Sequence, residues 1–96
     1  MAKRDRRLNK LRQNPKQVAF NELKQVLEDY GFTHIRTRGS HHTFIAIVGA
    51  YNWRITIPFH RPIKPPYIRE ALKMIDEIRR LQEQVEENDS DESDED

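Results

Sequence analysis

The residues with the most evident chemical potential are two adjacent histidines in the stretch RTRGSHHTFIAI, residues 36–47. Imidazole titrates near neutral pH, so His41 and His42 could each give or take a proton in a reaction. Arginines just before the pair could neutralise a phosphate, because the guanidinium fork can hold two of its oxygens. The residues alone leave open a second interpretation, in which both histidines are ordinary polar side chains at the corner of a hairpin.

A metal site is a further alternative, because the chain contains four histidines, which are His34, His41, His42 and His60. The chain has no cysteine and no pair of histidines at helical spacing, so the pattern of a metal site is missing. Adjacent histidines in an extended strand also point to opposite faces, which separates them as ligands. We therefore expect no metal cofactor.

Three short stretches with strand character must position the histidine pair. They are FTHIRTR from Phe32, HTFIAI from His42 and NWRITIP from Asn52. Turn signals at residues 39–40 and 49–50 separate them, which predicts an antiparallel meander. Alternation in the third strand predicts that Trp53, Ile55 and Ile57 face the core. Arg54 and Thr56 are then expected on the open face. In the first strand Ile35 is expected to face inward, which would leave His34 and Arg36 on the open face.

The second strand does not reveal which histidine faces the core, because apolar residues occupy both parities of HTFIAI. His41 shares the side of Ile45 and Ile47. His42 shares the side of Phe44, and a slip of one residue exchanges the two sides. The choice of register stays open at the level of sequence.

Two amphipathic helices are predicted to flank the strands. The first ends at Gly31, and its apolar residues recur at three- and four-residue spacing: Phe20, Leu23, Val26, Leu27 and Tyr30. Pro65-Pro66 is suited to begin the last helix, which should run from about Tyr67 into the mid-eighties. Its inner stripe is predicted to be Ile68, Leu72, Ile75 and Ile78 or Arg79. The order α-β-β-β-α predicts an α+β fold of two layers, with both helices on one face of the sheet.

Charge is divided unevenly along the 96 residues. Residues 1–64 carry 13 Lys/Arg and 4 Asp/Glu, a net of +9, whereas residues 65–96 carry 4 and 12, a net of −8. An electropositive body attracts polyanions. We divide the chain into a basic arm over residues 1–15, either mobile or a marginal helix, a domain over 16–85 and a disordered acidic tail over 86–96. No apolar run is long enough to span a bilayer and no signal peptide is evident, so a soluble intracellular protein is expected.

The segment YGFTHIRTRGSHHTF, followed by RITIPFHRPIKPPYIREALKMI, resembles the HicA family of toxins from bacterial toxin-antitoxin systems. The resemblance extends from about Phe20 to Ile75 and rests on several features in order. These are a helix ending in Gly-Phe, a Gly-Ser-His turn entering an aromatic-containing strand, a strand ending in Ile-Pro with a nearby histidine, and a lysine before the last helix. It implies a fold similar to double-stranded-RNA-binding domains and a cytoplasmic, metal-independent ribonuclease that cleaves mRNA. It also implies a HicB-like antitoxin that covers the site.

The resemblance implies that a histidine after the Gly-Ser step is catalytic. His41 matches the common Gly-Ser-His form and is the first choice, while His42 matches relatives that have Gly-Ser-Asn-His. Cleavage needs a base for the ribose 2′-hydroxyl, an acid for the 5′-oxygen and cations for the phosphate. Contacts to RNA phosphate are expected from Arg36, Arg38, Ser40, His60 and Lys64, of which His60 could also transfer a proton. The alternative functions are a non-catalytic RNA-binding module and an adaptor that binds a basic partner through its acidic tail.

Overall fold

The predicted order of helices and strands is confirmed, with one more helix at the amino-terminal end. The computed structural model describes the backbone of residues 2–95 and the side chains of residues 2–84. Its elements are α1 Lys3–Gln13, α2 Phe20–Asp29, β1 Phe32–Arg38, β2 His41–Val48, β3 Tyr51–Pro58 and α3 Pro65–Glu95. The predicted disordered tail, residues 86–96, lies outside the fully described part of the chain. Among the described residues, no helix combines the length and apolar character needed to cross a membrane.

The strands form an antiparallel meander in the order β1-β2-β3, as the turn signals predicted. The helices pack against one face of this sheet, and we call the opposite side the open face. The alternation predicted for β3 is confirmed, because Ile55 and Ile57 are buried while Arg54 and Thr56 are exposed. Helices α2 and α3 contribute Leu23, Val26 and Leu27, and Ile68, Ala71, Ile75 and Ile78, respectively, to the core. They match the apolar stripes predicted from the sequence except at one position, because Ala71 is fully buried while the predicted Leu72 is only partly buried.

Strand β1 departs from simple alternation at a β-bulge. His34 pairs with Phe44 and Arg36 pairs with Thr43, so Ile35 is an extra residue between two consecutive pairs of the ladder. The expectation that Ile35 faces inward is wrong, because its side chain is 50 % exposed. His34 is not on the open face either but half-buried on the helix-covered face. Phe32 is buried, so its side chain faces the helices, and His34, two residues later in the strand, faces the same side.

The amino-terminal segment forms helix α1, which packs against α2 and α3. It buries Leu8 and Leu11, each 1 % exposed. Arg7 donates two hydrogen bonds to the Asp29 carboxylate, from Nε at 2.7 Å and from Nη2 at 2.8 Å. These bonds hold the pKa of Asp29 below its usual range. Of the two expected states, mobile arm or marginal helix, the structure shows a helix, because tertiary burial stabilises a segment too short to be helical alone.

Candidate active site around His42

The register of β2 places the two adjacent histidines on opposite faces of the sheet. Phe44 and Ala46 are buried whereas Ile47 is 70 % exposed, so the even-numbered residues of β2 face the helices. His42 is therefore half-buried on the helix-covered face, and His41 is exposed on the open face. The question of register that the sequence left open is decided in favour of His42 as the enclosed histidine.

The turn that precedes the pair is held on both sides. Gly39 has a φ of 59°, in the left-handed region that glycine adopts without strain, and it occupies the first position of a two-residue turn. Arg38 and His41 close the hairpin as a ladder pair. The backbone N–H of Phe59, just after β3, donates to the Ser40 carbonyl oxygen at 2.6 Å. The start of β2 is thus fixed relative to both neighbouring strands.

His42 shares a hydrogen-bonded triangle with Thr37 and His34. The Thr37 hydroxyl oxygen lies 2.9 Å from His34 Nε2 and 3.3 Å from His42 Nδ1, and the two ring nitrogens lie 3.3 Å apart. The bulge at Ile35 makes this possible, because the extra residue brings positions 34 and 37 to the same face. Without it, position 37 would lie on the open face.

Two opposite distributions of protons satisfy the triangle when both rings are neutral. In one, His34 Nε2–H donates to the Thr37 oxygen and the Thr37 hydroxyl donates to His42 Nδ1; in the other, both bonds run in the reverse direction, and this one suits a general base. There His42 Nδ1–H donates to the Thr37 oxygen, and the Thr37 hydroxyl donates to His34 Nε2, which carries no proton in this tautomer. This commits Nδ1 of His42 to the protein. Nε2 then keeps its lone pair, so it is the nitrogen left to accept a proton from a substrate.

Aromatic rings surround His42 on the helix-covered face. The Phe20 ring lies 4.4 Å from the imidazole centroid, and the Phe59 ring lies 6.4 Å away. His34 stacks on Phe44 at 4.7 Å and 24°. Burial, followed by the charges of His34, Lys24 and His41, lowers the pKa of His42. His42 is therefore mainly neutral at neutral pH, which is the state that a general base requires.

A groove of about 480 Å³ opens beside these rings, between the start of α2 and the segment that follows β3. Its lining residues are Gln17, Ala19, Phe20, Asn21, Glu22, Phe59, Arg61 and Pro62. The Arg61 guanidinium lies over the Phe59 ring at 5.5 Å from its centroid. The groove therefore shares Phe20 and Phe59 with the surroundings of His42, and it adds a cation.

The structure does not bring Arg36 and Arg38 to the side of His42. Arg36 pairs with Thr43 and Arg38 pairs with His41, so both arginines follow the open-face parity. They are exposed there together with His41. The bulge is again the reason, since it changes the parity of the second half of β1.

The remaining predicted residues lie in the turn before β2 and in the segment between β3 and α3. Ser40 is exposed in the turn before β2. His60 is exposed after β3, and its Nδ1 donates to the Pro62 carbonyl oxygen at 2.7 Å. Lys64 is exposed just before α3. Each is accessible to a ligand.

No sequence pattern placed Phe20, Lys24, Thr37, Phe59 or Arg61 at the site. Phe20 was predicted only on the apolar face of the first helix, and His34 on the open face or as a possible metal ligand. The only signal available was the aromatic character of positions 20 and 59, which are far apart in the chain. Among the residues described with side chains, no three His, Asp or Glu groups lie close enough together to hold a metal ion.

The fold and the site define a small two-layer α+β domain with a half-buried histidine beside an open groove. A family model described as HicA toxin of bacterial toxin-antitoxin matches residues 20–76, more than half of the chain. The chain therefore belongs to the HicA toxin family, which is the toxin side of a toxin-antitoxin system and implies an antitoxin partner. The match covers α2 to the middle of α3 and leaves α1 outside. No curated protein and no solved structure gives a significant match.

Proposed function

We propose that this toxin is a metal-independent endoribonuclease that cleaves mRNA in the cytoplasm, with His42 as its general base. The observation that carries the proposal is the state of His42. Its lowered pKa favours the neutral ring, and its Nδ1 is hydrogen-bonded to Thr37. In the tautomer that carries the proton on Nδ1, its Nε2 accepts a proton from a substrate. A positioned imidazole in this state is suited to remove a proton from a ribose 2′-hydroxyl.

The reaction follows from that proton transfer. The 2′-oxygen, deprotonated by His42 Nε2, attacks the adjacent phosphorus, and the bond from phosphorus to the 5′-oxygen breaks. The departing oxygen takes a proton from an acid, which leaves a 2′,3′-cyclic phosphate and a 5′-hydroxyl. His60 is our candidate for this acid, because it directly follows Phe59 at the groove. Since its Nδ1–H donates to the Pro62 carbonyl oxygen, it acts in the imidazolium form, whose Nε2–H is the proton transferred to the 5′-oxygen.

Cations must stabilise the crowded phosphate during this step. Arg61 lines the groove, and Lys24 is close enough to His42 to affect its pKa. Ser40 is exposed in the turn before β2 and Lys64 just before α3, and they complete the proposed phosphate contacts. Arg36 and Arg38 face the other side, where they would bind RNA beyond the cleaved phosphate.

His42 is preferred over His41, although His41 matches the commoner family form. His41 is exposed on the open face, with neither the aromatic enclosure nor the hydrogen-bonded partners of its neighbour. The partner that we propose is a HicB-like antitoxin, which binds over His42 on the helix side of the sheet and so keeps mRNA away from it.

The two adjacent histidines supply a matched pair of variants for the test. Purified toxin, free of antitoxin and in the presence of a chelator, should cleave RNA, and His42→Gln should slow cleavage about 10²- to 10⁴-fold. His41→Gln should change the rate only a few-fold, and expression should arrest growth for His41→Gln but not for His42→Gln. Equal activity of His42→Gln and wild type would refute the assignment. RNA that is bound yet left intact by the wild type would favour a non-catalytic RNA-binding module.

A further inference from the structure

We infer that the groove between the start of α2 and the segment after β3 is a nucleobase-binding subsite, which stacks one base of single-stranded RNA on Phe59. The inference rests on the proposed function, because it supplies the contact that orients RNA at His42. It assigns a ligand to a cavity of about 480 Å³, a volume within the range of small-molecule sites.

The first observation is the aromatic surface of the groove. Phe59 is 42 % exposed, which is unusual for a phenylalanine, and Phe20 is half-buried. The two rings lie 5.5 Å apart at an interplanar angle of 54°, so they are tilted and do not close the space by stacking on each other. Exposed aromatic rings are the usual platform for unpaired bases, because every base has a π-face.

The second observation is the polar surface around those rings. Gln17 and Asn21 line the groove, and a carboxamide offers both a donor and an acceptor to the edge of a base. Arg61 adds a planar cation, which lies over Phe59 at 5.5 Å from the ring centroid and must move aside for a base to stack on that face, where it can bind the phosphate of the stacked nucleotide. Glu22 is already engaged, since its carboxylate accepts from the Ala19 N–H at 3.4 Å.

The third observation is that the groove is held open by the fold. The segment after β3 is tied at one end by the Phe59 N–H to the Ser40 carbonyl oxygen at 2.6 Å. At the other end, the Ile63 N–H donates to the Val18 carbonyl oxygen at 2.9 Å, and Ile63 is fully buried. A preformed site requires little ordering when a ligand enters it.

The position of the groove favours RNA over a protein segment as its occupant. Phe20 and Phe59 line the groove and also lie 4.4 Å and 6.4 Å from the His42 ring, so a base stacked there would be adjacent to the proposed reacting phosphate. An apolar peptide side chain would use the rings but not the carboxamides of Gln17 and Asn21. A base uses both.

The test measures binding separately from cleavage by using His42→Gln as the background. The probe is a short fluorescent single-stranded RNA, compared with the same RNA carrying one abasic residue at each position in turn. Phe59→Ala should weaken binding of the intact RNA about 5- to 150-fold, the range expected for losing one stacked base. One abasic position should cause a similar loss, and the two losses should not add.

Tyr51→Ala is the matched control, because Tyr51 is also an exposed aromatic, 60 % accessible, but lies at the far end of β3. It should leave the affinity unchanged. Additive effects of Phe59→Ala and every abasic residue, or an equal effect of Tyr51→Ala, would overturn the subsite. The subsite would also be overturned if Phe59→Ala weakened binding of a protein partner but of no RNA.

The two proposals can fail separately. If wild-type protein leaves RNA intact but Phe59 and one base remain coupled in binding, the subsite stands and the nuclease assignment falls. If His42→Gln abolishes cleavage but no base is coupled to Phe59, the nuclease assignment stands and the subsite falls.

Discussion

Replacing Thr37 by valine tests whether the bulge in β1 serves the chemistry of His42. Valine has the shape of threonine without the hydroxyl, so it removes the contacts of 2.9 Å to His34 Nε2 and 3.3 Å to His42 Nδ1. A net hydrogen bond contributes about 0.5–1.5 kcal/mol. If the bond is needed to orient the ring in the transition state, its loss slows the reaction about 2- to 13-fold.

The expected loss is much smaller than for removing His42 itself. The two ring nitrogens still lie 3.3 Å apart in Thr37→Val, so His34 can hold Nδ1 of His42 in part. The substitution should lower kcat and leave KM nearly unchanged, because Thr37 does not line the groove. Thr37→Ser keeps the hydroxyl and should restore most of the rate.

The assay is steady-state cleavage of a fluorogenic RNA, with thermal unfolding measured on the same samples. Thr33→Val is the control, because Thr33 is an exposed threonine on β1 that pairs with Ile45 rather than with the histidine site. It should behave as wild type. A wild-type rate for Thr37→Val, or failure of Thr37→Ser to exceed it, would refute a positioning role for the hydroxyl.

Two further predictions concern charge and packing. Lys24→Gln removes a positive charge that disfavours protonated His42, so the pKa of His42 should rise and the acidic limb of kcat/KM should move to higher pH. Lys16→Gln, at an exposed lysine not among the causes of that pKa shift, should leave the limb in place, and an unmoved limb in both variants would contradict the argument. Leu11→Ala should destabilise the protein by about 2–5 kcal/mol in urea unfolding, because Leu11 is buried in the core. Ile47→Ala, at an exposed residue, should cost under about 0.5 kcal/mol, and a similar small effect for Leu11→Ala would mean that α1 is not part of the folded unit.

Helix α1 shows that the folded unit is larger than the segment shared with the family. The family match begins at Phe20, yet Leu8 and Leu11 belong to the same buried cluster as the matched helices. Arg7 adds a paired hydrogen bond to Asp29 in α2. A protein cut at the start of the match would expose the surface that these leucines cover, so the intact amino-terminal segment belongs in any expressed form.

The sequence by itself predicted α2, α3, the three strands and the turn before the histidine pair. Three- and four-residue periodicity predicted α2 and α3, and Pro65-Pro66 marked the start of α3. The Gly39-Ser40 signal predicted the turn, and alternation predicted the buried side of β3. These features are local, because a helix stripe, a turn or a strand face depends on residues within a few positions of one another.

Only the tertiary structure decided which histidine is enclosed and what surrounds it. Apolar residues on both parities of β2 permit either register, and burial against the helices selects the one that turns His42 inward. The bulge at Ile35 then brings Thr37 to His42, although unbroken alternation would place it on the other face. Phe20 and Phe59 meet beside the ring from segments far apart in the chain. Such contacts depend on packing between distant segments, which no local pattern records.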